Sequence, residues 1–87
     1  MNKDKLIERA QPHYPDVQVY ELAYAIDFAS IAHKGQKRRS GEDYIVHPLA
    51  VAGFLIDWEM DMDTVIAGVL HDTVEDTPVT LSQIESF

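Results

Sequence analysis

The sequence predicts an all-α protein, a truncated bundle of about five helices. Apolar residues recur every three or four positions along most of the chain, which is the spacing of helices that bury one face. No stretch alternates apolar and polar residues as a half-buried strand would. A chain of 87 residues forms at most one small domain, so the helices are expected to share one core.

The first two helices are separated by a proline-containing turn. The first is predicted over about residues 3–10, before Pro12. The second begins near Asp16, the expected N-cap, and ends near Gly35. Its apolar stripe includes alanines that allow another helix to approach closely: Leu22, Ala25, Ile26, Ala29 and Ala32.

The third helix follows an irregular segment at 34–46. It opens at His47-Pro48, because proline is favoured in the first helical turn, so His47 is expected at or near the N-cap. Its predicted buried residues are Leu49, Ala52, Leu55 and Ile56.

The fourth helix is capped by Asp61 or Asp63 and ends near His71. Gly68 lies inside it at a cost of about 1 kcal/mol relative to alanine, which indicates close packing. A fifth helix begins near Thr80, and its apolar stripe stops after two turns. We therefore expect residues 1–87 to be the front part of a larger domain.

Composition excludes several functional classes. Fifteen acidic and seven basic residues give a net charge of −8, which argues against nonspecific binding to a nucleic-acid backbone. The absence of cysteine excludes disulfides and thiolate metal ligands. No apolar stretch approaches the roughly 20 residues that span a bilayer, so we expect a cytoplasmic protein without a membrane partner.

The basic residues are concentrated rather than dispersed. Four of the seven, Lys34, Lys37, Arg38 and Arg39, fall within six positions. On an acidic protein this cluster predicts a site for a small, highly charged anion. A solvated basic loop explains the same pattern equally well.

The acidic and histidine residues near the end of the fourth helix predict a metal centre. His71-Asp72 offers an imidazole and a carboxylate, and Glu75-Asp76 follows one turn later, where it could act on a metal-bound water. His47 could supply a second imidazole from a neighbouring helix, a ligand set suited to Mn²⁺, Zn²⁺ or Fe²⁺. Together with the basic loop, these residues predict metal-assisted hydrolysis of a phosphate ester.

Simpler interpretations stand beside this one. The acidic residues could be solvated at a helix end, and a histidine before a proline can serve only as an N-cap. His13, in a proline-flanked turn, and His33, at a helix end, are weaker candidates as ligands.

Four motifs in sequence resemble the N-terminal HD-type hydrolase domain of the RelA/SpoT alarmone enzymes. They are Ala32-His33-Lys34-Gly35-Gln36, Arg38-Arg39-Ser40-Gly41-Glu42, Tyr44-Ile45-Val46-His47-Pro48 and Leu70-His71-Asp72-Thr73-Val74-Glu75-Asp76-Thr77. The resemblance implies hydrolysis of the 3′-pyrophosphate of (p)ppGpp to GDP or GTP and pyrophosphate, in the stringent response, with Mn²⁺ as the usual metal.

The resemblance also implies a role for particular residues. The implied metal ligands are His47, His71 and Asp72; the implied catalytic pair that activates water is Glu75 and Asp76; the implied nucleotide-binding residues are Arg38, Arg39 and Ser40. In the family a further Asp ligand comes from a later helix, beyond position 87. We therefore expect weak or no hydrolysis by this chain alone.

Two alternative functions remain open at this point. One is another HD-type nucleotide phosphohydrolase, against which the Arg38-Arg39-Ser40-Gly41 loop argues. The other is a non-catalytic helical module that binds nucleotide or self-associates through uncovered apolar helix faces, which predicts a dimer or larger species. The resemblance fits both a long bifunctional synthetase/hydrolase and a small stand-alone hydrolase.

Overall fold

The computed structural model describes residues 1–73 and confirms the all-α prediction there. The helices are α1 (Lys3–Ala10), α2 (Asp16–Ala32), α3 (Val46–Asp57) and α4 (Met62–Leu70). Among the described residues, the strand-like element is a single isolated antiparallel bridge between Lys37 and Asp43. The fifth helix expected near Thr80 lies outside the described residues.

Side-chain caps fix the starts of two helices. The Lys5 amide donates to Asn2 Oδ1 at 2.9 Å, and the Thr64 amide donates to Asp61 Oδ1 at 2.8 Å. Asp61, not Asp63, is therefore the N-cap of α4. The prediction that Asp16 caps α2 is wrong: it is the first helical residue, and its carboxylate lies in the first turn, where it interacts favourably with the helix dipole.

Two other boundaries also differ from the prediction. α2 ends at Ala32, earlier than expected, and Gly35 adopts a φ of 86° in the turn beyond it, a conformation that glycine tolerates best. α3 begins at Val46, one residue before the predicted start, so His47 lies in its first turn, near the N-cap as expected. His47 is therefore a helical residue, and the backbone of α3 sets the direction of its side chain.

The core is built from all four helices. α4 packs against α2 and α3, and α1 packs against the same two helices. The buried residues of the core are Leu6, Ala10, Leu22, Ala25, Ile26, Ala29, Leu49, Ala52, Ile56, Met62, Val65, Val69 and Leu70. No helix within residues 1–73 is both long enough and apolar enough to cross a membrane.

The contact between α3 and α4 is close at Gly68. A Cβ added to Gly68 would lie 2.7 Å from Leu55 Cδ1, so only glycine permits the observed approach without movement of Leu55. This confirms the close packing expected from the sequence. Because α3 carries His47 and α4 leads into His71, the approach also brings those two imidazoles together.

A tyrosine hydroxyl joins two of the interhelical turns. Tyr14, after α1, donates from Oη to the Met60 carbonyl oxygen at 2.6 Å. Burial, and then the carboxylates of Asp61 and Glu59, raise the pKa of Tyr14. The phenol therefore stays protonated as a donor, and the turn before α2 is held against the turn before α4.

Candidate metal centre

Three of the predicted ligands converge at the ends of α3 and α4. His47 lies in the first turn of α3, His71 caps the C-terminus of α4, and Asp72 follows it. One donor atom from each residue lies within 4.8 Å of the others. Asp72 Oδ2 is 3.1 Å from His71 Nε2 and 3.7 Å from His47 Nε2.

The hydrogen bond made by His71 determines which ring nitrogen can bind a metal. His71 Nδ1 lies 2.6 Å from the Gly68 carbonyl oxygen. A carbonyl oxygen only accepts, so Nδ1 must carry the proton and donate it. In the neutral ring Nε2 then presents its lone pair toward Asp72 Oδ2. A metal-ligating histidine usually donates its other ring N–H in this way.

The donor set fits a divalent metal. The lone pair of His71 Nε2 faces the Asp72 carboxylate oxygen at 3.1 Å. Because two lone pairs repel each other, this contact is favourable only with a cation between the two atoms or a proton on Nε2. Donors that bind one metal at about 2.0–2.2 Å lie roughly 3 Å apart, close to the observed separation. Among residues 1–73, His47, His71 and Asp72 are the one group of this kind.

Asp72 also accepts a hydrogen bond that the sequence did not predict. Tyr44 Oη donates to Asp72 Oδ2 at 2.8 Å. The Tyr44 ring stacks on the His33 imidazole, with centroids 4.8 Å apart and planes 29° apart. His33, a weak ligand candidate from sequence, is only 3% exposed and its Nδ1 contacts Gln36 Oε1 at 2.7 Å. The sequence signal that could have pointed to Tyr44 is its position at the start of the motif that contains His47.

The segment before α3 forms a closed turn that places Tyr44. The Lys37 ammonium pairs with the Asp43 carboxylate, and the isolated bridge joins the same two residues. Within the turn, the Arg38 amide donates to the Glu42 carbonyl and the Gly41 amide to the Arg38 carbonyl, each at 2.8 Å. Gly41 has a φ of 89°, which this reversal requires.

The predicted nucleotide-binding residues line an open cavity of about 490 Å³ beside the metal ligands. Its walls are Arg38, Arg39, Ser40, Glu42 and Tyr44. Within residues 1–73 neither guanidinium forms an ion pair, so both can bind an anion. Because Tyr44 reaches Asp72, the cavity adjoins the candidate metal centre.

The basic cluster is divided by this arrangement. Lys34 and Lys37 line a separate cavity of about 320 Å³, on the His33 side of the loop. The four basic residues therefore do not form one anion site, and Lys37 is already paired with Asp43. His13 lies in the exposed turn after α1. Glu75 and Asp76, the predicted catalytic pair, lie outside the described residues.

Comparison with known proteins identifies the class. The model of the HD domain family matches residues 25–87, and the chain therefore belongs to the HD domain family.

Three relatives indicate a narrower class than the HD domain family. The chain is 43% identical over 84 residues to the bifunctional (p)ppGpp synthase/hydrolase SpoT of Escherichia coli K12, an alignment covering 97% of the chain and 12% of that protein. It is 42% identical over 87 residues to the GTP pyrophosphokinase rsh of Brucella melitensis, covering 100% of the chain and 12% of the relative. It is 46% identical over 79 residues to the guanosine-3′,5′-bis(diphosphate) 3′-pyrophosphohydrolase of Aquifex aeolicus, covering 91% and 11%.

These similarities confirm the resemblance to the RelA/SpoT enzymes. The chain spans only about 12% of the length of the relatives it matches. The activities that the names of these relatives describe are therefore only proposed for this chain.

Proposed function

We propose that this chain contributes the metal-binding part of a (p)ppGpp 3′-pyrophosphohydrolase, which releases pyrophosphate from the 3′ position and leaves GDP or GTP. The observation that carries the proposal is the convergence of His47, His71 and Asp72 within 4.8 Å. The adjoining cavity presents two guanidinium groups that form no ion pair within residues 1–73, the chemistry expected for a guanine nucleotide with several phosphates. The names of the relatives from Escherichia coli and Aquifex aeolicus support the same reaction.

The proposed roles divide between the two parts of the site. A divalent metal held by the two imidazoles and the carboxylate would lower the pKa of water and polarise a phosphoryl oxygen. Arg38 and Arg39 would hold the nucleotide by stacking and by bidentate hydrogen bonds, and Ser40 would contact phosphate. Glu75 and Asp76 are proposed to orient and deprotonate the attacking water, on the resemblance alone.

We propose Mn²⁺ as the metal. Two imidazoles and one carboxylate are compatible with Mn²⁺, Zn²⁺ and Fe²⁺, and the family resemblance favours Mn²⁺ among them. In the family a further Asp completes the site. We accordingly propose that residues 1–87 are the front part of an HD-type hydrolase domain, with weak or no hydrolysis when isolated.

The proposal can be tested in a chimera. The chain replaces the 84 aligned residues of Escherichia coli SpoT, which restores the rest of a hydrolase around it. Pyrophosphate release from ppGpp is then measured with and without Mn²⁺. We expect Mn²⁺-dependent hydrolysis, because the transplanted residues supply three ligands and the cationic cavity.

Two controls make the chimera informative. His71→Ala in the chimera should abolish hydrolysis, whereas His13→Ala, which removes an exposed imidazole from the turn after α1, should not. A dNTP and a cyclic nucleotide are offered as competing substrates. Hydrolysis of either in preference to ppGpp would instead support another HD-type nucleotide phosphohydrolase.

A second proposal concerns self-association. Four large apolar side chains along the outer face of α2 are 63–74% exposed: Val17, Tyr20, Tyr24 and Ile31. Exposed apolar side chains grouped on one helix favour association with another surface of the same kind. We propose that the chain forms a homo-oligomer through this face. We also propose a cytoplasmic location without a membrane partner, since no apolar stretch approaches the length of a membrane span. The acidic composition supports the absence of a nucleic-acid partner.

A further inference from the structure

We propose that Tyr44 is a positioning residue for the metal centre, and that its hydroxyl holds the Asp72 carboxylate in the orientation that binds metal. The inference rests on the proposed function, since it assigns Asp72 as a ligand. Nothing in the residue types of the motif alone required this role, because a tyrosine beside a helix start can equally be a packing residue.

The first step is the geometry at Asp72 Oδ2. Tyr44 Oη donates to this oxygen at 2.8 Å, and the same oxygen faces both imidazole Nε2 atoms, at 3.1 and 3.7 Å. The hydroxyl therefore occupies one lone pair of Oδ2 and leaves another directed at the histidines. Asp72 lies two residues beyond Leu70, the last residue of α4, and directly after the C-cap His71, so the helix itself does not fix its side chain.

The second step is that Tyr44 is held in place on several sides. Its ring stacks on His33, which is 3% exposed. Its amide donates to the Gln36 carbonyl at 3.0 Å, and its carbonyl accepts from the His47 amide at 3.0 Å. The hydroxyl is therefore fixed relative to one metal ligand while it orients another, and a partner that orders a ligating carboxylate strengthens metal binding.

The test is the Tyr44→Phe variant, which keeps the ring and its stacking on His33 but removes the hydroxyl. Mn²⁺ affinity is measured from the electron paramagnetic resonance signal of free Mn²⁺ and from paramagnetic broadening of the His47 and His71 ring signals by NMR. We expect the Mn²⁺ dissociation constant to rise by about 10–100-fold, the usual effect of removing a hydrogen-bond partner of a metal ligand. Tyr20→Phe, which removes a hydroxyl from a side chain that is 73% exposed, should leave it unchanged.

Metal-free NMR provides a second measurement that does not depend on affinity. Relative to the wild-type chain, Asp72→Asn should shift the signal of the Tyr44 ring carbon attached to the hydroxyl, because the acceptor changes from a carboxylate to an amide. The signal of the Tyr20 ring should not shift. Unchanged Mn²⁺ affinity in a folded Tyr44→Phe chain, or an unshifted Tyr44 ring, overturns the role of Tyr44 and leaves the metal centre standing. Failure of the wild-type chain to show broadening at His47 and His71 at millimolar Mn²⁺ overturns both the metal centre and this role.

Discussion

His71 illustrates how a single backbone contact gives a side chain its chemistry. The Gly68 carbonyl accepts from Nδ1 at 2.6 Å, which fixes the tautomer and turns Nε2 toward Asp72. Sequence reasoning selected His71 because its residue type and its acidic neighbour suit a metal. The tautomer itself depends on the end of α4, where a carbonyl without an intrahelical partner is available.

Tyr44 and His33 show what residue patterns could not provide. They are eleven positions apart, and their stacking depends on the closed turn between them. Helical periodicity applies within an element and says nothing about a ring contact made across an irregular segment. The three candidate metal ligands were predictable because the residue types His and Asp are themselves the signal. The residue type of Tyr44, proposed to orient one of them, carries no such signal, and only its place in the motif before His47 pointed to it.

Asp61 gives a prediction about pH at the residue scale. Its side-chain hydrogen bond with Thr64, followed by the backbone bond with the same residue, lowers the pKa of the Asp61 carboxyl. A carboxyl whose pKa is lower in the folded state stabilises the fold above its unfolded pKa and loses that contribution as pH falls through the folded value. We expect Asp61→Ala to lower the melting temperature at pH 7.

The same series at lower pH should separate the cap from simple charge. The wild-type and Asp61→Ala melting temperatures should converge as the pH drops below about 4, the ordinary range of an aspartate, measured by circular dichroism. Asp63→Ala removes an equal charge from the first turn of α4, where no cap bond is lost, and should have a smaller effect at pH 7. Equal effects of the two substitutions would contradict the cap.

At the scale of elements, the helices were predictable and their ends less so. The extent of α1 and the cap of α4 follow from local signals, a proline-containing turn and an aspartate before an apolar run. The ends of α2 depend on the neighbouring turns: Pro15 occupies the cap position without a side-chain bond, and the left-handed residue Gly35 serves the turn beyond His33. The connecting segments therefore determine the residues at which α2 begins and ends.

The packing of α3 on α4 gives a prediction for Gly68. In Gly68→Ala the new Cβ would meet Leu55 Cδ1 at 2.7 Å. Overpacking costs about 1–3 kcal/mol, whereas alanine returns about 1 kcal/mol of helix propensity. We expect a net loss of roughly 1 kcal/mol in the free energy of unfolding, measured by urea denaturation.

The same substitution should change sign when Leu55 is shortened. In a Leu55→Ala background, Gly68→Ala should stabilise by about 1 kcal/mol, since only the helix propensity remains. Gly53→Ala serves as the control, because its Cβ would meet only the ends of the Arg9 and Met1 side chains, each at 3.1 Å, and Leu6. Stabilisation by Gly68→Ala in both backgrounds would show that the helices do not constrain each other here.

For the whole molecule, the exposed face of α2 predicts association. We expect a dimer or larger species in multi-angle light scattering at working concentration, because Val17, Tyr20, Tyr24 and Ile31 are large apolar side chains that are 63–74% exposed on α2. The double variant Tyr20→Lys and Ile31→Lys should shift the distribution toward monomer. Glu8→Gln and Glu21→Gln raise the net charge by the same two units at exposed positions outside this stripe, so a comparable shift in that control would assign the effect to charge.

The placement of the three proposed metal ligands has a consequence for the molecule as a whole. His47 belongs to α3, while His71 and Asp72 follow α4, so an ion bound by all three is a cross-link between two helices. Because the unfolded chain does not assemble these donors, free metal at 100 times its dissociation constant would stabilise the fold by about 2.7 kcal/mol. If the site binds metal as proposed, the supply of metal affects the folded fraction of the protein as well as the competence of its site, and removal of metal lowers both.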